Sequence, residues 1–540
     1  MKSCLRLSLP WIAAEIALDL ICTALLALGP YFQKLLFDTA LPGGLQAVLV
    51  LCGAYLFVQL VYSICSWLCM KATWKGAIWF ERSLKRRFFH ALLAKSKVDF
   101  FSRDTGEYLA MQSSDITALE QDYLQPLVDV IRSFNMFVVY GIILFTAIDW
   151  RIGLVIFLAT LVVLAGPHLT GKASSRTRQT YQEAVGTYTS AVQDWLAGFS
   201  AVNRFTGPAI EAAHEAVLGQ TADKRYAYGK AKSLALGVDT GAVRFLQAAA
   251  FAIVAILLCL GKISVGTAVA AFGYVECFLD PLNSILYDVS TLQGIKETRQ
   301  RFEEFTASAQ TQQTQALSAP SGLQNALELN NVCVSRGEFS FGPVSLRLEK
   351  GKKYALIGAN GSGKSTLLKL ITGEVLPDSG CITLDGQPIG GLDTTQVIAC
   401  VTQREHLFRT SARENITVYG AYPLQKAVQA AAHIKLPFFE KALRDDIANC
   451  QELSGGEQEA IAYLRMAAQD CDIVLLDEPF AAADVNATHA MEQHLLTAPE
   501  MKNKTVVVIT HDHSEHLEQY DEVLQMKDGA IVSHHNETFQ

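Results

Sequence analysis

Gly358-Ala-Asn-Gly-Ser-Gly-Lys364-Ser365-Thr366 is the stretch that decides how this chain is read. It fits G-x-x-x-x-G-K-[ST]. It follows the apolar run Tyr354-Ala-Leu-Ile357 and precedes Leu367-Leu-Lys-Leu-Ile371, so it predicts a strand, a tight loop and a helix in that order. Glycines let backbone N–H groups close around phosphate oxygens, and the helix N-terminus adds positive potential. Gly358, Asn360, Gly361, Ser362, Gly363, Lys364, Ser365 and Thr366 are therefore candidate nucleotide ligands. Lys364 would carry charge to the β- and γ-phosphates, and Ser365 would offer a hydroxyl to Mg²⁺.

A second stretch supports the first. Ile473-Val-Leu-Leu-Asp477-Glu478 puts four apolar residues ahead of two carboxylates, as a buried strand ending in an active-site edge would. Asp477 would help hold Mg²⁺, and Glu478 would orient or deprotonate an attacking water. By itself this is equally well a core strand with a solvated end. Beside a phosphate loop, the catalytic reading is preferred. After residue 325, short apolar runs alternate with helical stretches, which predicts an α/β domain over 325–540.

Towards the N-terminus the composition changes. Half of the 540 residues are hydrophobic and 18% are charged, below the ~25% of ordinary soluble domains. The apolar runs lie before Gly294. About six stretches approach the ~20 residues that a spanning helix needs: Trp11–Phe37, Leu45–Met70, Leu124–Ile148, Ile152–Thr170, Leu234–Leu260 and Thr267–Ser290. Asp38–Gly44, Asp149–Arg151 and Gly261–Gly266 are short turns, whereas Lys71–Tyr123 and Gly171–Ser233 are long, polar and rich in Lys and Arg. The positive-inside rule places those long connections and both termini in the cytoplasm, so the chain is expected to be a multi-pass protein of the cell membrane. The run from Leu9 is too long for a signal peptide. Thr306–Gln324, rich in Gln, Ser, Thr and Ala, predicts a linker after a membrane domain over 1–305.

The net charge of −8 argues against nucleic acid as a partner, and the basic cluster Lys85-Arg-Arg87 reads as a topology signal. The 12 cysteines are scattered without paired C-x-x-C motifs, which speaks against structural zinc. Within the apolar runs, Glu15 with Asp19 and Glu276 with Asp280 sit one turn apart; Arg244 and His168 are further intramembrane ionisable residues. The acidic pairs either line a polar cavity suited to a cationic or metal-chelate substrate, or are paired or hydrated near helix ends.

Leu453-Ser-Gly-Gly-Glu457 brings the reading to a family. With the two stretches above, in that order, it resembles the ATP-binding cassette (ABC) transporters and their LSGGQ signature. Gln403 in Val-Thr-Gln is similar to the Q-loop glutamine, His511 in Ile-Thr-His-Asp to the switch histidine and Asp484 to the D-loop aspartate. The resemblance implies ATP and Mg²⁺ as cofactors. It implies catalytic roles for Glu478, His511 and Gln403, metal contacts from Ser365, Gln403 and Asp477, and nucleotide contacts from Gln403, Asp484 and Arg336, the last at the adenine position. It also implies a dimer in which Ser454, Gly455, Gly456 and Glu457 of one subunit face the γ-phosphate held by the other, with hydrolysis driving alternating access. The membrane half resembles the exporter-type fold through Asp99-Phe-Phe101, Gly106, Asp115 and Gly261–Gly266. Short cytoplasmic helices that press on the cassette are expected near Phe101–Asp115 and Trp195–Phe205.

The chain departs from the family pattern at Glu457 (Gln is usual), Ala481 (Ser), Arg336 (an aromatic) and the thinned basic run Gln458-Glu-Ala460. Those departures favour a heterodimer of two related half-transporters. The expected fold is an all-α, six-helix transmembrane domain followed by an α/β P-loop ATPase. The expected function is ATP-driven movement of a small amphipathic molecule, lipid or peptide. Alternatives are an importer of a metal chelate, siderophore or porphyrin on the same fold, and an ATP-gated channel or regulator. The absence of room ahead of the first helix disfavours a leader-cleaving peptide exporter.

Overall fold

The computed structural model describes residues 1–314, 320, 322–336, 339–403, 405–444, 447–479, 482–510 and 517–534; the side chains of 159–175, 278–280 and 336, among others, lie outside that description. The chain divides into two compact units, one of residues 1–91 with 106–307, the other of 92–105 with 308–540.

The first unit is helical throughout. Helices α1 (Lys2–Leu35), α2 (Leu45–Leu93), α4 (Thr105–Ile148, with π-turns within it), α5 (Trp150–Ala197), α6 (Gly207–Cys259) and α7 (Val265–Gly294) carry the six apolar stretches in order. Among the described residues, 3–40, 45–93, 105–148 and 207–259 are long and apolar enough to cross a membrane, and α7 adds the apolar stretch Val265–Cys277. Leu49, Leu56, Leu60, Ile64 and Trp67 of α2 point outward, each more than half exposed. A helix whose backbone bonds are internal and whose apolar face is uncovered suits a lipid surround. Inside, Ala27, Ala250 and Ala271 let helices approach around Tyr140 and Tyr274. Tyr274 Oη donates to the Ala27 carbonyl at 2.7 Å. The turn ahead of α7 is fixed by Asp38, which accepts from Ser264 Oγ (2.8 Å) and Gly266 N (3.0 Å). A Cβ at Gly266 would sit 2.5 Å from Asp38 Oδ1, which explains glycine there.

The buried acids of α1 have protein partners. Asp19 Oδ1 lies 2.8 Å from Arg132 Nε, and Glu15 Oε1 accepts from Thr73 Oγ1 at 2.7 Å. Glu276 is exposed, Arg244 bonds Gln247 at 2.9 Å, and the side chains of Asp280 and His168 lie outside the described residues.

Two expectations move. Helix α8 (Lys296–Thr314) continues into the stretch read as linker, because Thr306–Thr314 is made of residues a helix tolerates, and the first Pro comes only at 320. The first short helix of the long connection, α3 (Lys97–Phe101), begins ahead of Phe101 and groups with the second unit. Ser96 caps it, accepting from Asp99 N at 3.1 Å and donating to Asp99 Oδ2 at 2.8 Å. In the second connection, α5 ends at Ala197 and a 3₁₀ turn spans Phe199–Ala201. Asn203 Oδ1 then accepts from Phe205 N at 2.9 Å, and Phe205 stands 91% exposed.

The rest of the second unit is built on two sheets. One has strand order β2-β1-β4-β5, from β1 (Ala326–Arg336), β2 (Phe339–Glu349), β4 (Ser379–Leu384) and β5 (Gln387–Pro388). The other has order β10-β9-β3-β8-β7-β6, from β3 (Lys353–Gly358), β6 (Ile398–Val401), β7 (Ile473–Asp477), β8 (Thr505–Ile509), β9 (Glu522–Lys527) and β10 (Ala530–His534). Strands β6, β7, β8, β3 and β9 run parallel, and β7, β8 and β3 are buried on both faces, as their unbroken Val/Leu/Ile runs require. Alternate residues serve two cores. Leu356, Leu475 and Val507 pack with Val344 and Leu367 between the sheets. Ile357, Leu476 and Val508 pack on the other side against helices that carry Ile416, Ala427, Phe439, Tyr463 and Met491. Those helices are α10 (Ala412–Thr417), α11 (Leu424–Ile434), α12 (Pro437–Leu443), α13 (Gly455–Gln469) and α14 (Val485–Thr497); α9 (Lys364–Ile371) follows β3.

Candidate functional site

The parallel register brings the motif residues to one edge. Leu356 pairs with Ile509 and Ile509 with Asp477, so the C-terminal ends of β3, β8 and β7 lie side by side, with β6 next to β7. In open α/β sheets this is the edge where ligands bind. The loop from β3 to α9 starts there. Gly358, Gly361 and Gly363 have φ of 154°, 81° and 108°, values that favour glycine. A Cβ at Gly363 would also meet Phe341 Cδ2 at 3.0 Å. Lys364 Nζ donates back to the carbonyls of Gly358 (2.6 Å) and Ala359 (3.1 Å). Its charge is thus held in the mouth of the loop. Ser362 Oγ is buried without a partner among the described residues, a hydroxyl suited to a phosphate oxygen. Asn360, Ser365 and Thr366 lie on the same loop and the first turn of α9.

Asp477 ends β7, and Glu478 follows in a left-handed conformation (φ 49°), its N–H bonded to the Ile509 carbonyl at 3.2 Å. Gln403, just past β6, donates from Nε2 to Glu478 Oε2 at 2.8 Å. The two residues read as water-activating and Mg²⁺-contacting are therefore in direct contact. Strain of ~1–3 kcal/mol is typical of a non-glycine residue held at such a φ, and here the strand edge fixes it.

Ser454 is the N-cap of α13, and with Glu457 it forms a capping box. Ser454 N and Ser454 Oγ both donate to Glu457 Oε2, at 3.0 and 2.8 Å. The Ser-x-x-Glu pattern carries that signal in sequence. Gly455 and Gly456 back onto the loop after β7: a Cβ on Gly456 would lie 2.8 Å from the Ala482 carbonyl oxygen, and one on Gly455 3.0 Å from Ala482 Cβ. Asp484 caps α14, accepting from Ala487 N at 2.8 Å. Its place in this structure is a helix cap.

Glu459 is a site residue that the sequence did not single out. Its Oε1 and Oε2 accept from Ala482 N at 2.9 and 3.1 Å, tying the first turn of α13 to the loop after β7. Burial pushes its carboxyl up, partly offset by the N–H groups of Ala482 and Ala483. Only the fold brings those positions together. A cavity of about 460 Å³ lies between Thr402, Gln403 and Glu405 on one side and Gln458, Glu459 and Ala482 on the other. Beneath it, Arg465 crosses to the carbonyls of Asn415 (2.9 Å) and His406 (3.0 Å) and holds the loop after β6 in place. Burial raises the Cys400 thiol on β6 to about 12 and keeps it inert. His511, Ala481 and the Arg336 side chain lie outside the described residues.

Comparison with known proteins agrees with this layout. A family model described as "ABC transporter" matches residues 341–481, and one described as "ABC transporter transmembrane region" matches residues 12–282. An ATP-dependent lipid A-core flippase of Vibrio parahaemolyticus is 26% identical over 474 residues, covering 84% of this chain and 80% of the relative. Flippases of the same name from Haemophilus ducreyi and Vibrio vulnificus are 25% and 24% identical, covering 83% and 92% of this chain and 79% and 86% of their own. A bacterial Atm1-family ABC exporter solved with ATP bound superposes with a TM-score of 0.78 at 19% identity, over 97% of this chain and 94% of that one. The fold of the two units is that of this exporter.

Proposed function

The chain belongs to the ABC transporter family, an integral membrane protein with an ATPase coupled to transport, and from that premise we propose that it is one half of an unequal pair that moves an amphipathic lipid. The observation that carries the ATP-hydrolysing part of the reading is the Gln403–Glu478 contact at the edge shared with the phosphate loop. It supports a role for the carboxylate in water activation, beside a glutamine that can sense the terminal phosphate.

Chemically, the site divides its work. The N–H groups of the Gly358–Thr366 loop and Lys364 hold the ATP phosphates, and the buried Ser362 hydroxyl finds its partner there. The oxygen-rich set of Ser365, Asp477 and Gln403 suits Mg²⁺, which would offset phosphate charge. Glu478 accepts a proton from the attacking water as the water oxygen bonds the γ-phosphorus and the bond from that phosphorus to the β–γ bridging oxygen breaks, releasing ADP. His511, by its likeness to the switch histidine, would contact the γ-phosphate. Ser454, Gly455 and Gly456 of one subunit close over the ATP held by the other, and Asp484 lies in the loop between the two composite sites. The cassette is cytoplasmic and the helices span the inner membrane. ATP drives transport because it binds the closed and open states with different affinity.

The departures at Glu457, Ala481 and Arg336 support pairing with a different subunit, so that the two composite sites are unlike. The name shared by the flippase relatives supports a lipid substrate. Purification from membranes, with mass spectrometry of what co-purifies, tests the pairing: a second ABC subunit in equal amount is expected, and a chain isolated only with itself overturns it. Reconstitution with headgroup-labelled lipid tests the substrate. ATP-dependent loss of label from one leaflet is expected, abolished by Lys364→Ala. No lipid movement from a vesicle that hydrolyses ATP overturns the lipid assignment.

A further inference from the structure

We propose that the amphipath carried by this chain bears a positively charged amine, received inside the membrane unit by Glu15, Asp19 and Asp129; this deepens the lipid reading above and rests on it for an amphipathic cargo.

Helix α1 presents Glu15 and Asp19 one turn apart, and they are only 5% and 3% exposed. Helix α4 meets them with Asp129 and Arg132. Arg132 Nε lies 2.8 Å from Asp19 Oδ1, and its Nη1 lies 3.8 Å from Asp129 Oδ1. Glu15 stands in the combined field of Asp19, Asp129 and Arg132. Asp288, buried on α7, adds its field to that of Asp129. Among the described residues, Arg132 is the one cation acting on Glu15, Asp19 and Asp129. One guanidinium cannot balance these carboxylates, and uncompensated charge within a membrane is costly.

Two polar atoms stand outside the internal pairing. Asp19 Oδ2 is buried with no hydrogen-bond partner among the described residues, although Oδ1 is paired. Tyr140 Oη, on a completely buried side chain, has none there either. Tyr140 follows Asp129 by three turns on the same face of α4 and stands in the field of Asp19. Long side chains on a helix lean towards its N-terminus, which here is the side of Asp129. Buried polar atoms in native proteins are satisfied, so both oxygens call for a ligand that can donate. An ammonium group donates N–H bonds to carboxylate and phenol oxygens, and its charge offsets the acids. A compact metal ion fits less well, because no three acids, His or Cys among the described residues converge on one point. The cluster is also open on one side, where the side chains of Asp129 and Arg132 stay nearly half exposed.

The test uses the full chain with whatever subunit accompanies it, in nanodiscs of a zwitterionic lipid. Dodecylamine, protonated at neutral pH, and dodecanol share one chain and differ in charge. The rise in melting temperature with probe concentration gives an apparent affinity for each. Wild type is expected to prefer the amine. That preference should fall about tenfold in Glu15→Gln and in Asp129→Asn, the scale of one charged hydrogen bond. Glu15→Gln keeps an oxygen for Thr73, and neither change removes the Asp19–Arg132 pair. Acids with a purely structural role would shift the melting temperature and leave the preference for amine over alcohol unaltered, which overturns the proposal. Stabilisation by Ca²⁺ alone, with none by the amine, overturns it too.

Phosphatidylethanolamine and its N-acetyl derivative, which lacks the cation, are then compared as stimulants of ATPase activity in proteoliposomes. Stimulation by the amine lipid alone supports both readings. If both lipids stimulate alike and the variants keep the wild-type preference, the lipid reading stands and the amine falls. If dodecylamine binds selectively but neither lipid stimulates, the cation site stands with a free amphipathic amine as cargo, and the lipid reading falls.

Discussion

Gln403 Nε2 and Glu478 Oε2 lie 2.8 Å apart, so the loop after β6 and the end of β7 are tied by one charge-assisted hydrogen bond. The carboxylate is already oriented, and moving the glutamine breaks this bond.

This bond predicts a split between turnover and binding. Glu478→Gln removes the base and should lower the hydrolysis rate by about 10²–10⁴-fold, the usual worth of a positioned base, while ATP still binds. Gln403→Ala should lower the rate less, with little change in half-saturating ATP. Steady-state ATPase with nucleotide binding measured in parallel checks both. Full activity in Glu478→Gln would remove this residue from the mechanism.

Gly456 makes a steric prediction. A methyl group there would need to move the Ala482 carbonyl from 2.8 Å. Gly456→Ala should therefore displace the loop carrying Asp484 and cut ATPase activity sharply, yet leave ATP binding at the Lys364 loop intact. Fluorescent-nucleotide binding alongside turnover distinguishes this from general unfolding.

In the membrane unit, Asp19 is almost fully buried and its charge is met by Arg132 at 2.8 Å. Removing one member of such a pair strands the other, at a cost of about 3–5 kcal/mol. Arg132→Ala should lower the melting temperature more than Asp19→Asn does, and Asp19→Asn with Arg132→Met should recover most of the loss. Equal melting of Arg132→Ala and wild type would show that the pair contributes nothing.

Asp385 offers a pH test in the cassette. Burial raises its carboxyl, but N–H bonds from Gln324, Asn325 and Ala326, at 2.7, 2.6 and 3.0 Å, outweigh that and hold it below its ordinary value. A depressed folded value means that the stabilisation is complete above the unfolded value near 3.8 and disappears as pH falls through the folded one. Asp385→Asn should cost about 1–3 kcal/mol at neutral pH, and the gap to wild type should close on acidification below about 3.8. A gap that persists at low pH would refute the assignment.

Local patterns in the sequence determined much of this protein. The apolar stretches that became α1, α2, α4, α5, α6 and α7 were legible because a lipid-exposed helix must be apolar along its own length. The Gly358–Thr366 loop and the β7 edge were legible because a phosphate cradle and a buried strand each need their residues contiguous. The Ser454–Glu457 cap lay within one helical turn, and its pattern was there to be read. The tertiary structure alone decided the rest. The Gln403–Glu478 bond depends on β6 pairing with β7, and the Glu459–Ala482 contact on α13 packing against the loop after that strand. The partnership of Asp19 with Arg132 depends on α1 meeting α4. The physical reason is one of range. Backbone propensity and hydrophobic period act over a few residues and write themselves into the chain, whereas a hydrogen bond between remote side chains exists only once strand register and helix packing have fixed both ends.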